Sequence, residues 1–194
     1  MGDPISPGMT IGACAWMEKE WMNAVDNSSK KFFRAKRFMD DILLIYAQSE
    51  DWAYDTFLKD FKQSECYWSP LTLEKGKEDT FLETRFKVSP DGRDVSYRLK
   101  NNNEGNGESQ IWRYQHFHSY GNYTQKRATL LASLRKVHHM ASDSQQLFFS
   151  GVDKLKEFAN LEYPKGIRKF MCGIMARDTD DFTWYRIMQA QNAY

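Results

Sequence analysis

The chain has 194 residues, of which 41% are hydrophobic, 27% charged and 15% aromatic. That length supports one sizeable hydrophobic core or two small ones, and 13 Phe, 10 Tyr and 6 Trp exclude a disordered low-complexity protein. The longest strongly apolar run, residues 42–47, has the length of a strand rather than the roughly 18 residues that a membrane span needs. We therefore expect no membrane among the partners of this chain.

The cysteines and the N-terminal residues bear on the cellular compartment. Cys14, Cys66 and Cys172 are odd in number and far apart, which is typical of reduced thiols rather than of disulfides or a zinc site. Charged residues at positions 18–20 interrupt the first apolar stretch, so no secretory signal is predicted. Both observations predict an intracellular, reducing compartment, and they leave nucleus and cytoplasm open.

The net charge of +1 hides an asymmetry along the chain. Residues 1–110 carry 15 Lys and Arg against 19 Asp and Glu, a net charge of −4, whereas residues 111–194 carry 12 against 7, a net charge of +5. Residues 111–142 contain basic and aromatic side chains and no acidic one. Such a segment suits a polyanion such as nucleic acid, and an ordinary solvated basic surface is the alternative.

The first hundred residues alternate helix and strand patterns. Hydrophobic periodicity and turn residues predict a helix at 9–25, two strands within 36–47, an amphipathic helix at 51–65, and strands at 71–75, 80–88 and 95–100. The sequence Ser-Pro-Asp-Gly at 89–92 predicts a hairpin between the last two strands.

The last part of the chain carries four helical patterns joined by short loops, which predicts a small bundle. Thr124 is the expected N-cap of the first helix, and Ser142 or Asp143 caps the second. Pro164 lies in the first turn of the third helix, and residues 180–182 begin the fourth. The expected core consists of Leu130, Leu131, Leu134, Val137, Leu147, Phe148, Leu155, Phe158, Ile167, Phe170 and Ile174.

The predicted architecture is α+β with two domains. Residues 101–110 are rich in Asn and Gly, and they predict a flexible linker where the charge changes sign. The linker separates a domain at residues 1–100, which contains strands and helices, from a helical domain at residues 111–194.

Two adjacent carboxylates, Asp40 and Asp41, lie between apolar residues that are typical of strands. A plain hairpin turn is one interpretation, although turns favour a Gly or Asn partner and none is present here. Like charges beside a buried surface repel each other, and a divalent cation that prefers hard oxygen ligands, such as magnesium, relieves that repulsion. Carboxylates of this kind hold the two metal ions of phosphoryl-transfer enzymes about 4 Å apart.

Residues 38–41, Phe-Met-Asp-Asp, resemble the aromatic-x-Asp-Asp signature of reverse transcriptases, the RNA-directed DNA polymerases. Residues 2–9, Gly-Asp-Pro-Ile-Ser-Pro-Gly-Met, resemble the family's Gly-x-Pro-x-Ser-Pro segment, which lies near the templating base and the incoming nucleotide. The resemblance implies that Asp40 and Asp41 are catalytic magnesium ligands. It also implies that the nucleotide or template is contacted by Pro4, Ser6 and Pro7.

Later segments agree with the same family. Residues 71–75 and 81–86 are similar to the strand pair that follows the Asp-Asp hairpin in non-LTR, Penelope-like and telomerase-type enzymes, with Glu83 where Asp is usual. In the family this hairpin grips the primer's 3′ end, which implies that role for Phe81, Leu82 and Glu83. Residues 118–128 resemble the entry into the thumb of Penelope-like elements, and the pattern continues at 134–135, 141–143 and 162–164.

The resemblance makes the first domain a remainder of the polymerase palm and the second a helical thumb. Phosphates of a template–primer duplex are then expected to contact Arg113, Lys126, Arg127 and Arg135. Lys75 or Lys77 matches the palm lysine that protonates the leaving pyrophosphate, with a solvated turn lysine as the alternative. The implied partners are an RNA template, a DNA primer and deoxynucleotides.

The family carries a third catalytic aspartate on a strand upstream of the Gly-x-Pro-x-Ser-Pro segment, at which this chain begins. The two-metal magnesium site is therefore expected to be incomplete, the missing N-terminal part of the polymerase is an expected partner, and the chain alone is expected not to extend a primer. A non-catalytic module derived from a reverse transcriptase, which binds RNA or RNA–DNA hybrid, is the alternative function. A domain whose Asp-Asp hairpin is coincidental is the third interpretation.

Overall fold

The computed structural model describes residues 6–25, 30, 33–39, 41–46, 79–103 and 113–193. The chain divides into two compact units, Met1–Lys77 and Glu78–Tyr194. This division falls earlier than the linker predicted at residues 101–110. Within the described residues the protein is α+β, as predicted, with two antiparallel sheets and five α-helices. The helix predicted at 51–65 and the strand predicted at 71–75 lie outside the described residues.

The first unit contains one helix and one hairpin. Helix α1 spans Ser6–Ala24, and strands β1 and β2 span Phe33–Phe38 and Asp41–Tyr46. The strands pair antiparallel, from Phe33 opposite Tyr46 to Phe38 opposite Asp41. Phe33 is the centre of a small core, in which it packs against Trp21, Met22, Val25 and Leu44. The predicted helix and the predicted pair of strands are confirmed here.

The second unit begins with a three-stranded antiparallel sheet. Strands β3, β4 and β5 span Thr80–Phe81, Thr84–Val88 and Val95–Leu99. The single strand predicted at 80–88 is interrupted, because Leu82 adopts a positive φ of 54° and turns the chain between β3 and β4. The predicted hairpin between β4 and β5 is confirmed, with Gly92 at φ 70° in its turn.

Four helices follow the sheet. They are α2 (Tyr123–His139), α3 (Ser144–Asn160), α4 (Lys165–Thr179) and α5 (Thr183–Ala190), and a 3₁₀ turn follows at Gln191–Ala193. The predicted N-cap at Thr124 is wrong by two positions, because Asn122 accepts the hydrogen bond from the Thr124 amide at 2.9 Å. Asp143 caps α3, with hydrogen bonds from the amides of Gln145 and Gln146.

The core of the second unit lies between the four helices. Six of the predicted core residues are buried there, namely Leu130, Leu134, Val137, Leu147, Leu155 and Phe158. The prediction for Phe170 is wrong, since its side chain is 56% exposed. Helix α4 instead turns its Met171, Cys172 and Met175 inward, and α5 adds Trp184 and Ile187.

The connection between α2 and α3 ties the sheet to the bundle. The Ser142 amide donates to the carbonyl of Tyr97 in β5 at 2.9 Å, and the Tyr97 amide donates to Ser142 Oγ at 3.0 Å. Leu99 also packs against the helical core. These contacts explain why β3–β5 fall in one unit with the helices.

Two cysteines of the described part of the chain, Cys14 and Cys172, are buried free thiols. Burial raises the pKa of the Cys172 thiol to about 12, against a weaker opposing effect of Arg168. Of the helices described, none has the length and apolar character that crossing a membrane requires.

Candidate functional site

The hairpin of β1 and β2 presents Asp41 at its tip. Because Phe38 lies opposite Asp41, the connection between the strands consists of Met39 and Asp40. Met39 has a φ of 53°, the left-handed conformation that two-residue hairpin turns require. The Asp41 side chain is exposed. Asp40 itself lies outside the described residues, as do Pro4 and Lys75.

The two faces of this hairpin differ. Arg37 of β1 donates from Nε to Glu18 Oε1 of α1 at 2.7 Å, so α1 contacts the face that carries Arg37. Neighbouring residues of a strand point to opposite faces, and directly opposed residues share one. Asp41 is paired with Phe38, the neighbour of Arg37, and therefore lies on the face away from α1.

The face that carries Asp41 also carries basic residues. Arg34 and Lys36 alternate with Phe38 along β1, and both are exposed. Ser6 and Pro7, the residues predicted to approach nucleotide or template, are the first two residues of α1. The first unit thus combines an exposed carboxylate with two cations on one face of the hairpin.

In the second unit, the turn between β3 and β4 contains the residues predicted to grip the primer. Phe81 pairs with Thr84, and Leu82 at the turn is 44% exposed. Glu83 is ion-paired twice, with Arg113 Nη1 at 3.0 Å from its Oε1 and with Lys136 Nζ on its Oε2. The predicted phosphate contact Arg113 is therefore already held by an acidic partner.

Lys126 does not have the exposure that a phosphate contact needs. The residue is 5% exposed, and its Nζ donates to the carbonyl of Phe117 at 2.6 Å and to that of Ser119. The ammonium also lies 5.8 Å from the centre of the Phe117 ring. The structure thus corrects the prediction for Lys126, which holds the segment before α2 in place.

Arg127 and Arg135 face α4. The Arg127 guanidinium lies over two rings, 5.7 Å from the centre of Tyr123 and 5.4 Å from that of Phe170. Arg135 Nη2 is 3.3 Å from Asp178 Oδ2. The two contacts are eight residues apart on each helix and in the same order, so α2 and α4 run in the same direction. Arg127 and Arg135, together with the rings of Tyr123 and Phe170, form one surface, which we call the α2–α4 surface.

The described residues offer few ligands for magnesium. Asp41 supplies one exposed carboxylate, which is the hard oxygen type that magnesium prefers. Among the described residues, no group of three or more His, Cys, Asp or Glu is arranged to hold a metal ion.

Sequence patterns predict only part of the α2–α4 surface. Tyr123 belongs to the basic and aromatic segment 111–142 that suits a polyanion, whereas Phe170 is predicted in the core and is exposed. Periodicity along α4 places both Phe170 and Met171 near the inner face, and only the partner helix decides which one is buried.

No family model matches the chain, and neither a curated protein nor a solved structure is found to match it.

Proposed function

We propose that the chain is palm and thumb sequence of a reverse transcriptase, with the Asp40–Asp41 hairpin in the palm and the α2–α4 surface on the thumb. The observation that carries the proposal is the two-residue hairpin connection, which puts Asp41 on the exposed face away from α1. A polymerase carboxylate needs that placement, because metal ions and nucleotide approach from the open side of the sheet.

In this proposal each unit has its own task. Magnesium, when bound, neutralises phosphate charge and orients the attacking and leaving oxygens. Asp40 and Asp41 supply oxygen ligands, and Arg34 and Lys36 on the same face attract phosphates. Arg127 and Arg135 contact the backbone of an RNA–DNA duplex, which carries affinity without reading sequence.

Manganese, a paramagnetic substitute for magnesium, tests the hairpin by NMR spectroscopy. We expect Mn²⁺ to broaden the amide signals of Phe38 and Asp41 at concentrations that leave the β4–β5 turn unchanged. The double variant Asp40→Asn/Asp41→Asn should lose this broadening. Asp91→Asn is the matched control, since it removes an exposed carboxylate from the other hairpin turn. Equal broadening at both turns would show that the Asp-Asp hairpin has no particular affinity for the metal.

A non-catalytic module that binds RNA–DNA hybrid is the second candidate function. It is favoured by the α2–α4 surface, whose arginines and aromatic rings need no carboxylate hairpin. The same double variant separates the two functions. Hybrid binding that is identical in the variant and the wild type, with and without magnesium, favours the module.

A further inference from the structure

A shallow groove of about 430 Å³ lies between α4 and α5. Its lining consists of Lys169, Phe170, Gly173, Ile174, Arg177 and Met188. The floor of the groove is apolar, and Lys169 and Arg177 of α4 lie near its two ends. A Cβ placed on Gly173 would meet no atom within 4 Å, so the middle of the groove is open.

The charge around the groove is predominantly positive. Lys169 Nζ donates to Asn192 Oδ1 at 2.8 Å, and this partner is neutral, so it does not offset the ammonium charge. Arg177 lies 3.5 Å from Asp178 Oδ1, but Asp178 is also the partner of Arg135. One carboxylate thus faces two arginines, and Lys169 adds a further positive charge. A polyanion would be attracted by this excess of positive charge, whereas an apolar peptide without acidic residues would gain nothing from it.

Phe170 joins the groove to the α2–α4 surface. The Arg127 guanidinium lies over one face of its ring, 5.4 Å from the ring centre, and yet the residue is more than half exposed. Exposed aromatic rings beside cations are the two components with which proteins bind single strands, since bases stack on the rings and phosphates pair with the cations. A base inside a duplex is already stacked on both faces, so it leaves an exposed ring without a partner.

We propose that the α4–α5 groove binds single-stranded nucleic acid, with one base stacked on Phe170 and the flanking phosphates near Lys169 and Arg177. The proposal goes beyond duplex binding and does not depend on the Asp40–Asp41 hairpin. Stacking and phosphate pairing are common to RNA and DNA, so the groove takes either strand, and the probes described next compare the two.

Fluorescence anisotropy with the full chain and labelled 12-mers tests the groove. The probes are oligo-dT, oligo-rU, an abasic 12-mer with the same phosphates, and a blunt RNA–DNA hybrid. We expect Phe170→Ala to weaken binding of oligo-dT and oligo-rU at least about fivefold, because stacking a base contributes on that scale. Binding of the abasic strand should change less than twofold, and Phe170→Tyr should restore the wild-type affinity.

A second pair of variants controls for folding and for position. Phe149→Ala removes another exposed Phe that carries an arginine, Arg98, over its ring, and this Phe is not part of the groove. It should leave binding unchanged. Gly173→Leu fills the open middle of the groove and should weaken single-strand binding without lowering the melting temperature.

Three outcomes would overturn the proposal. The first is an equal loss for Phe149→Ala and Phe170→Ala, and the second is an equal loss for the abasic strand and oligo-dT. The third is a concentration-dependent dimer in sedimentation that Phe170→Ala dissociates, with oligonucleotide binding unaffected, since the groove would then hold a second copy of the chain. The hybrid probe reports on the proposed thumb function separately, because it lacks unstacked bases.

Discussion

Glu83 and Lys136 form an ion pair that joins the β3–β4 turn to the last turns of α2, over a separation of 53 residues. Arg113 binds the other oxygen of the same carboxylate. Glu83 therefore pairs with two cations of the segment whose sequence suits a polyanion, and it offsets part of their charge. Its carboxylate decides how much of that positive charge is available to a ligand.

Replacing Glu83 should have opposite effects on folding and on binding. We expect Glu83→Gln to lower the free energy of unfolding by about 0.5–1 kcal/mol, since the pairs are partly exposed. The same change frees Arg113 and Lys136, so the affinity for RNA–DNA hybrid should rise and its dependence on salt should steepen. Urea unfolding and salt-titrated anisotropy measure the two effects, with Asp91→Asn as the control for loss of one negative charge. Unchanged hybrid affinity would show that neither cation meets phosphate.

Lys126 and Arg127 are neighbours in sequence, but we expect them to affect different measurements. Lys126→Met leaves the carbonyls of Phe117 and Ser119 without their buried donor, and stability should fall by about 1–3 kcal/mol. Arg127→Met removes one partly exposed cation, and the slope of log affinity against log salt should become less negative by about 0.9. A fall in stability for Arg127→Met with an unchanged salt slope would contradict its placement on the binding surface.

Alanine substitutions at two helical glycines should change the stability in opposite directions. A Cβ at Gly151 of α3 would lie 2.6 Å from Ile187 Cδ1 in the core, so Gly151→Ala should destabilise by about 1–3 kcal/mol. A Cβ at Gly173 of α4 would meet nothing, so Gly173→Ala should stabilise by about 0.5–1 kcal/mol through helix propensity. Thermal and urea unfolding of both variants check the pair. A gain in stability for Gly151→Ala would mean that α3 and α5 pack less closely than described.

Asp143, the N-cap of α3, predicts a pH dependence. Hydrogen bonds from the Gln146 amide and the Ser142 hydroxyl, against a small opposing effect of burial, lower the pKa of its carboxyl below 3.8. A lowered folded pKa gives stability that is present above the unfolded value and is lost as pH falls through the folded value. Asp143→Ala should cost about 1 kcal/mol at neutral pH. Asp143→Asn should retain most of the cap and remove its contribution to acid sensitivity below about pH 4. Identical acid unfolding of the wild type and the Asp143→Asn variant would contradict this assignment.

Helices, strands and caps that depend on neighbouring residues could be predicted from the sequence. The helix at 9–25 and the strands around Asp40 and Asp41 follow from periodicity, and side-chain chemistry restricts the α3 cap to Ser142 or Asp143. The break at Leu82 did not follow, because a positive φ at a leucine depends on the pairing around it. The elements that could be predicted are those that neighbouring residues determine.

The sequence alone does not show which charged residues of the site are buried. Lys126 and Arg127 are indistinguishable by type and position in a basic segment, yet the first is buried and the second is partly exposed. The rotation of α2 about its axis turns Lys126 toward the Phe117 carbonyl and Arg127 toward α4. That rotation is determined by the packing of the whole bundle, which local sequence does not reveal. The same holds for Glu83, whose two partners come from distant positions in the chain.

Tyr97 uses both its backbone amide and its carbonyl on Ser142, on the side of β5 away from β4. β5 is an outer strand of its sheet, and outer strands with open hydrogen-bonding groups invite another chain to add a strand and aggregate. The loop between α2 and α3 occupies that position at the middle of the strand. The bundle therefore shields the β5 edge of the sheet from edge-to-edge association.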